Sequence, residues 1–116
     1  LGLVYVEGRV KGPGGEVGVR FLVDSGATYT LLPERVWRTI GLEPKREHSF
    51  ILADGTTLTR RVSECYIILP QGEAHTPVIL GEPGDEALLG TVTLEILGLI
   101  LDPFRRELRP MKMMLA

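Results

Sequence analysis

Asparagine is missing from the chain, Gln71 is the only glutamine, and Cys65 is the only cysteine. One thiol excludes an intrachain disulfide and a zinc site built on cysteines. No charge of one sign dominates. Thirteen Lys and Arg against fifteen Asp and Glu leave a net charge of -2, which gives no electrostatic case for a nucleic-acid or anionic-membrane partner. No apolar run approaches the roughly 20 residues needed to span a bilayer; the longest, Ile96 to Leu101, contains Gly98 and ends at Asp102. The chain begins Leu1-Gly2-Leu3, without the basic, apolar, small-residue pattern of a secretory leader, although the missing initiator Met leaves a trimmed leader open. The expectation is a soluble, cytoplasmic protein. Few amides, with ten Arg against three Lys, is one mark of heat-adapted proteins, and a GC-rich genome would give the Arg bias too.

What is present reads as one domain. The 116 residues are 44% hydrophobic and 24% charged, an ordinary globular balance that predicts a single domain over 1–116 with one core and no linker. Fourteen Gly and eight Pro punctuate short segments rich in Val, Ile, Leu and Thr, the pattern of an all-β or mainly-β domain. Val4 to Val10 alternates, Gly12-Pro13-Gly14-Gly15 turns the chain, and Val17 to Asp24 returns, ending in the apolar run Phe21-Leu22-Val23. That Gly-rich turn is no phosphate cradle, because no helix follows it and no Lys-Ser/Thr pair closes it. Pro33 at a first helical position, Glu34 in the first turn and Gly41 after Ile40 predict a short helix. Its Val36, Trp37 and Ile40 fall at core-packing spacing.

A long hairpin is expected next, with Ser49–Ala53 leading into a tight Asp54-Gly55 turn and Thr56–Leu69 returning. A strand near Thr76–Leu80, a loop at Gly81–Asp85, an apolar step Ala87-Leu88-Leu89 and a helix from about Thr91 to Leu97 follow. Leu99–Asp102 and Glu107–Arg109 form a last hairpin. There is a faint internal echo: Leu31-Leu32-Pro33 to Ile40-Gly41-Leu42 and Leu88-Leu89-Gly90 to Leu97-Gly98-Leu99 both read Leu-Leu, breaker, helix, Gly-Leu. Such a repeat fits approximate internal twofold symmetry.

The most informative stretch is Leu22-Val23-Asp24-Ser25-Gly26-Ala27-Thr28-Tyr29-Thr30-Leu31-Leu32. A carboxylate straight after large apolar residues is costly unless compensated, and local chemistry alone leaves an Asx-type turn as a sufficient role. The stretch resembles the core motif of the retroviral-type aspartic proteases, the retropepsin-like family: two apolar residues, Asp, Ser or Thr, Gly, Ala, two variable residues, Thr and an apolar pair. Leu88-Leu89-Gly90 resembles the family's second hallmark, and Phe50 to Arg61 lies where its flap hairpin belongs. The resemblance implies a retropepsin-like closed barrel with a flap hairpin and one or two short helices. It also implies peptide-bond hydrolysis by two carboxyl groups about 3 Å apart that share one proton. Asp54, Asp85 and Asp102 each have a turn-forming role, so the partner of Asp24 is expected to be Asp24 of a second chain on the axis of a homodimer.

By the same resemblance Ser25 would reach across that axis, and Gly26 would admit the substrate backbone. Ala27, Thr28 and Tyr29 would line the inner subsites, and Leu31 and Leu88 would give apolar walls that favour hydrophobic side chains at the cut. Ala53, Asp54, Gly55 and Thr56 would form the flap tip over an extended peptide. Activity is expected to fall once the shared proton is lost at higher pH. No cofactor or metal is implied. The chain departs from retroviral members in a flap tip with one Gly, in Thr91 where they often carry Arg, and in a C-terminal hairpin and tail. That tail, Met111-Lys112-Met113-Met114-Leu115, reads either as disorder or as interface packing. In this it looks more like cellular and prokaryotic members, whose dimer sheet uses C-terminal strands. A serine-protease reading of Ser25 lacks an upstream His, since His48 and His75 both follow it, and Cys65 in an apolar strand reads as a small core residue. The rival of a different class is a catalytically inactive dimeric peptide-binding or scaffolding module of the same fold.

Overall fold

The structure, a computed structural model, describes residues 2–112, 114 and 115. Strands β1 (Tyr5–Gly12) and β2 (Gly15–Val23) form the first hairpin, in register from Tyr5 opposite Leu22 to Gly12 opposite Gly15. Period-two alternation sends Val6, Val10, Val19, Phe21 and Val23 into the core. There follow β3 (Thr30–Leu32), α1 (Glu34–Thr39), β4 (Arg46–Ile51), β5 (Thr57–Leu69), β6 (Gly72–Leu80) and β7 (Leu88–Leu89). The last elements are α2 (Thr91–Ile96), β8 (Leu99–Asp102) and β9 (Glu107–Pro110).

Among the described residues six strands close a barrel in the order β1-β2-β7-β3-β6-β5, sealed where Arg9–Lys11 of β1 pair with Tyr66–Ile68 of β5. The fold class read from the sequence is the one observed. Strand β5 serves two structures: residues from Val62 onward pair with β6, while Thr57 to Val62 pair with β4 in a separate hairpin. Strands β8 and β9 form their own two-stranded sheet. Phe21, Leu32, Ile40, Ile67 and Leu89 are fully enclosed in the core, and α1 adds Val36 and Trp37.

The internal echo is structural. Strand β3 runs parallel to β6 and β7 parallel to β2, and the two short strands meet antiparallel where Leu31 faces Leu88. Each leads into a six-residue helix. Each helix is ended by a glycine in the left-handed region, Gly41 at φ 73° and Gly98 at φ 67°, where a side chain would be strained. Leu42 and Leu99 then re-enter the core.

Three expectations need correction. Pro33 precedes the helix as its N-cap, in extended backbone at ψ 158°, because the chain is still leaving β3 there; its carbonyl accepts from the Val36 and Trp37 N–H groups. The Asp54-Gly55 turn is a three-residue loop, Ala53 to Gly55, closed by the Leu52 N–H to the Thr56 carbonyl. Gly55 alone of the three has positive φ, since the Asp54 carboxylate is held by Thr56 instead. Strand β6 starts at Gly72, well before Thr76, because Pro70-Gln71 makes a two-residue turn that pairs Leu69 with Gly72. In the tail, Lys112, Met114 and Leu115 are in no strand and are exposed, and Met113 lies outside the described residues. No described helix is long and apolar enough to cross a membrane.

Candidate active site

Asp24 is the first residue beyond β2, where the apolar run ends and the barrel opens. Its N–H donates to the Leu89 carbonyl (3.0 Å) and its carbonyl accepts from the Ala27 N–H (3.1 Å), so the chain turns at once. The Gly26 N–H donates to Asp24 Oδ1 (2.9 Å). The Asx-type turn is therefore real, and it compensates the carboxylate's partial burial. Among the described residues no cation pairs with Asp24 and no other donor reaches it. A Cβ on Gly26 would sit 3.2 Å from that same oxygen, so any side chain there would press on the Asp24 carboxylate.

The repeat holds this loop in place. The N–H groups of Thr91 and Val92, free in the first turn of α2, donate to the Ala27 and Thr28 carbonyls (both 2.9 Å). Gly90 packs flat against the loop: a Cβ there would lie 2.5 Å from the Tyr29 carbonyl carbon and 2.8 Å from the Thr28 oxygen. Beneath runs a buried chain of hydroxyls. The Gly90 N–H donates to Thr30 Oγ1 (3.1 Å), which meets Thr93 Oγ1 (2.5 Å), which meets Thr76 Oγ1 (2.8 Å). Either hydroxyl can donate within each of these hydroxyl pairs, and Thr76 also reaches the Pro77 carbonyl (3.3 Å). The loop is fixed by backbone and hydroxyl bonds from both halves of the repeat. The residue as far before Leu88 as Asp24 is before Leu31 is Gly81. The repeat thus supplies one acid, not two.

The β4–β5 hairpin stands over one side of this region. His48 and Phe50 lie on one face of β4, and their rings meet Tyr29 at centroid distances of 5.7 and 5.9 Å. Arg60, opposite His48 on β5, is mostly covered and bridges Glu82 at 3.2 Å and Asp85 at 4.0 Å, tying the hairpin base to the 81–85 loop. At the tip, Asp54 Oδ1 accepts from the Thr56 N–H (2.9 Å) and hydroxyl (2.6 Å), which holds its carboxyl below the usual range. On the other side of the loop a cleft of about 350 Å³ is lined by Ser25, Thr91, Leu94, Leu99, Ile100 and Met111 among others. The exposed Ile96 and Ile100 lie on α2 and β8, which contribute lining residues to this cleft.

The aspartyl protease family profile matches residues 6–91, which takes in the Asp24 loop, the hairpin and the Leu88-Leu89-Gly90 step. The chain belongs to the aspartyl protease family. Among solved structures, the protease of EIAV in complex with an inhibitor superposes with a TM-score of 0.61 at 15% identity, covering 84% of this chain and 89% of that one. At that identity the likeness is one of fold, and it is the retropepsin fold. Among curated proteins none matches the chain in sequence.

In this aspartyl protease domain the tertiary structure brings Asp24 to Tyr29 into one loop and sets Leu31 directly beside Leu88. Ala53, Asp54, Gly55 and Thr56 form the hairpin tip, where the hydrogen bonds run among themselves and to Leu52. Sequence reasoning missed Thr76 and Thr93, His48 and Phe50, and Arg60. Period-two spacing marks His48 and Phe50 as one face of a strand; nothing in the sequence says that this face meets Tyr29. Cys65 is buried, and burial pushes its thiol up to about 12, which leaves it protonated and unreactive. Among the described residues no group of three His, Cys, Asp or Glu converges as a metal site.

Proposed function

We propose that the protein is an aspartic endopeptidase acting as a homodimer, each chain giving Asp24 to a shared pair. The observation that carries this reading is the Asp24 carboxylate itself, fixed by Gly26, unpaired by any described cation, and set in a repeat whose matching position is Gly81. A second carboxylate has to come from a second copy. The apolar cleft beside Ser25, with Ile96 and Ile100 exposed near it, is the face we assign to that copy. Covering it supports bringing the two Asp24 loops together on a twofold axis.

In that assembly the two carboxyls share one proton. The ionised one takes a proton from water as the oxygen attacks the peptide carbonyl, and the protonated one donates to the carbonyl oxygen. Collapse of the tetrahedral species breaks the C–N bond, and the amine leaves with a proton returned by the pair. The β4–β5 hairpin acts as the flap, with Ala53 to Thr56 closing over an extended peptide. Ala27, Thr28, Tyr29, Leu31 and Leu88 are the residues we assign to the substrate-facing wall beneath the hairpin.

A peptide-library digest tests the reading. Asp24→Asn is expected to lower cleavage by at least ~10²–10⁴-fold, while circular dichroism and sedimentation report an unchanged fold and dimer. Full activity of the variant, or of a strict monomer, would refute the shared site. Peptide binding without turnover by the wild type would support the scaffolding module instead.

A further inference from the structure

Three rings converge where the hairpin meets the Asp24 loop. Tyr29, His48 and Phe50 lie 5.7, 5.9 and 6.2 Å apart between centroids, tilted or edge-on to one another. That spacing is within ordinary aromatic contact range. These rings are not core. Phe21 is fully buried and Trp37 nearly so, whereas all three of these residues are only half-buried, at the seam between the β4 strand and the loop after Asp24 rather than inside the barrel.

We propose that Tyr29, His48 and Phe50 form the side wall of a substrate subsite that selects an aromatic side chain, which docks against their open faces and edges. The proposal rests on the reading of the space between the β4–β5 hairpin and the Asp24 loop as the peptide-binding site, distinct from the cleft beside Ser25. Across the hairpin, the residues paired with His48 and Phe50 are Arg60 and Leu58. Arg60 is committed to Glu82 and Asp85, so this face offers a substrate rings and an apolar side chain rather than a free charge. An extended peptide presents alternate side chains to opposite sides, so a wall on one side reads one fixed position. A ring–ring contact is worth roughly 2–10-fold in affinity, and one or two such contacts give an aromatic residue about a tenfold advantage over leucine.

The test uses binding and cleavage together. Asp24→Asn protein is exposed to a peptide array in which each position is varied through Phe, Tyr, Trp, Leu, Asp and Lys. Retention of aromatic peptides about tenfold over leucine, at one fixed position, is expected. Phe50→Leu in the same background keeps apolar volume but loses the ring, and should reduce that preference to within about twofold; Tyr29→Leu should do the same, and Phe50→Trp should retain it. Absence of an aromatic preference, or a preference that survives both leucine variants, overturns the proposal. Wild-type digests separate the two readings. Cleavage with no aromatic selection removes the wall and leaves the peptidase, whereas aromatic-selective binding with no cleavage leaves the wall and removes the peptidase.

Discussion

Thr93→Val would remove the central hydroxyl of the chain that joins Thr30, Thr93 and Thr76 while nearly preserving shape. Thr30 and Thr93 are fully enclosed and Thr76 is 2% exposed, so water cannot replace the lost partner. The substitution leaves the Thr30 and Thr76 hydroxyls each short of a partner. An orphaned buried polar group costs roughly 1–3 kcal/mol, and the added methyl recovers little in a site already filled. With a urea slope of about 1–3 kcal/mol per molar, the midpoint should fall by about 1 M at fixed protein concentration, which matters if the protein dimerises. Thr30→Val alone orphans the Gly90 N–H and should cost a similar amount. The double variant Thr30→Val/Thr93→Val removes the orphaned hydroxyl, so it should cost clearly less than the sum, with a coupling of about 1 kcal/mol. Wild-type stability for Thr93→Val, or strict additivity in the cycle, would refute the cooperative chain.

Gly90→Ala should destabilise by at least ~1–3 kcal/mol and abolish cleavage, because its Cβ would meet Tyr29 and Thr28 backbone that α2 holds in place. Gly98→Ala, at φ 67°, should cost about 1–2 kcal/mol of backbone strain and leave cleavage largely intact; equal effects of the two on activity would contradict this. Cys65 should resist iodoacetamide at pH 8 in the folded protein and react once unfolded, read as a mass shift; rapid native alkylation would contradict its burial. The Asp54 carboxyl is lowered by its bonds from Thr56. Its contribution to the hairpin tip is therefore complete above the ordinary carboxylate value and lost as pH falls through the lowered one. The protection of the Thr56 amide, measured against its intrinsic exchange rate at each pH, should fall only in acid, and a pH-independent protection would exclude the Asp54 bond.

Much of the architecture was legible from local chemistry. Alternation fixed β1 and β2, Asp-Pro and Gly-Pro steps marked turns, and the Leu-Leu-breaker-helix-Gly-Leu echo anticipated two matching halves. The errors lie where one side chain decides between neighbouring backbone solutions. At Asp54 the carboxylate binds Thr56 and draws the turn out to three residues. At Pro33 the outgoing strand keeps the proline extended, so the helix starts one residue later. Strand β6 began early because a Pro-Gln pair turns as tightly as a Gly-containing one when the strands on both sides are long enough to enforce register.

The sequence by itself determined where an acid ends an apolar run and which residues are punctuated into strands, because both are properties of contiguous residues: a carboxylate after Leu22-Val23, a glycine after a helix, an alternation of period two. Only the tertiary structure decided what those residues meet. Thr30 and Thr93 are bonded across 63 positions, and Tyr29 touches rings on a hairpin arm, because barrel closure and the pairing of Leu31 with Leu88 bring distant strands together. Such contacts depend on strand order and register, which no local pattern encodes.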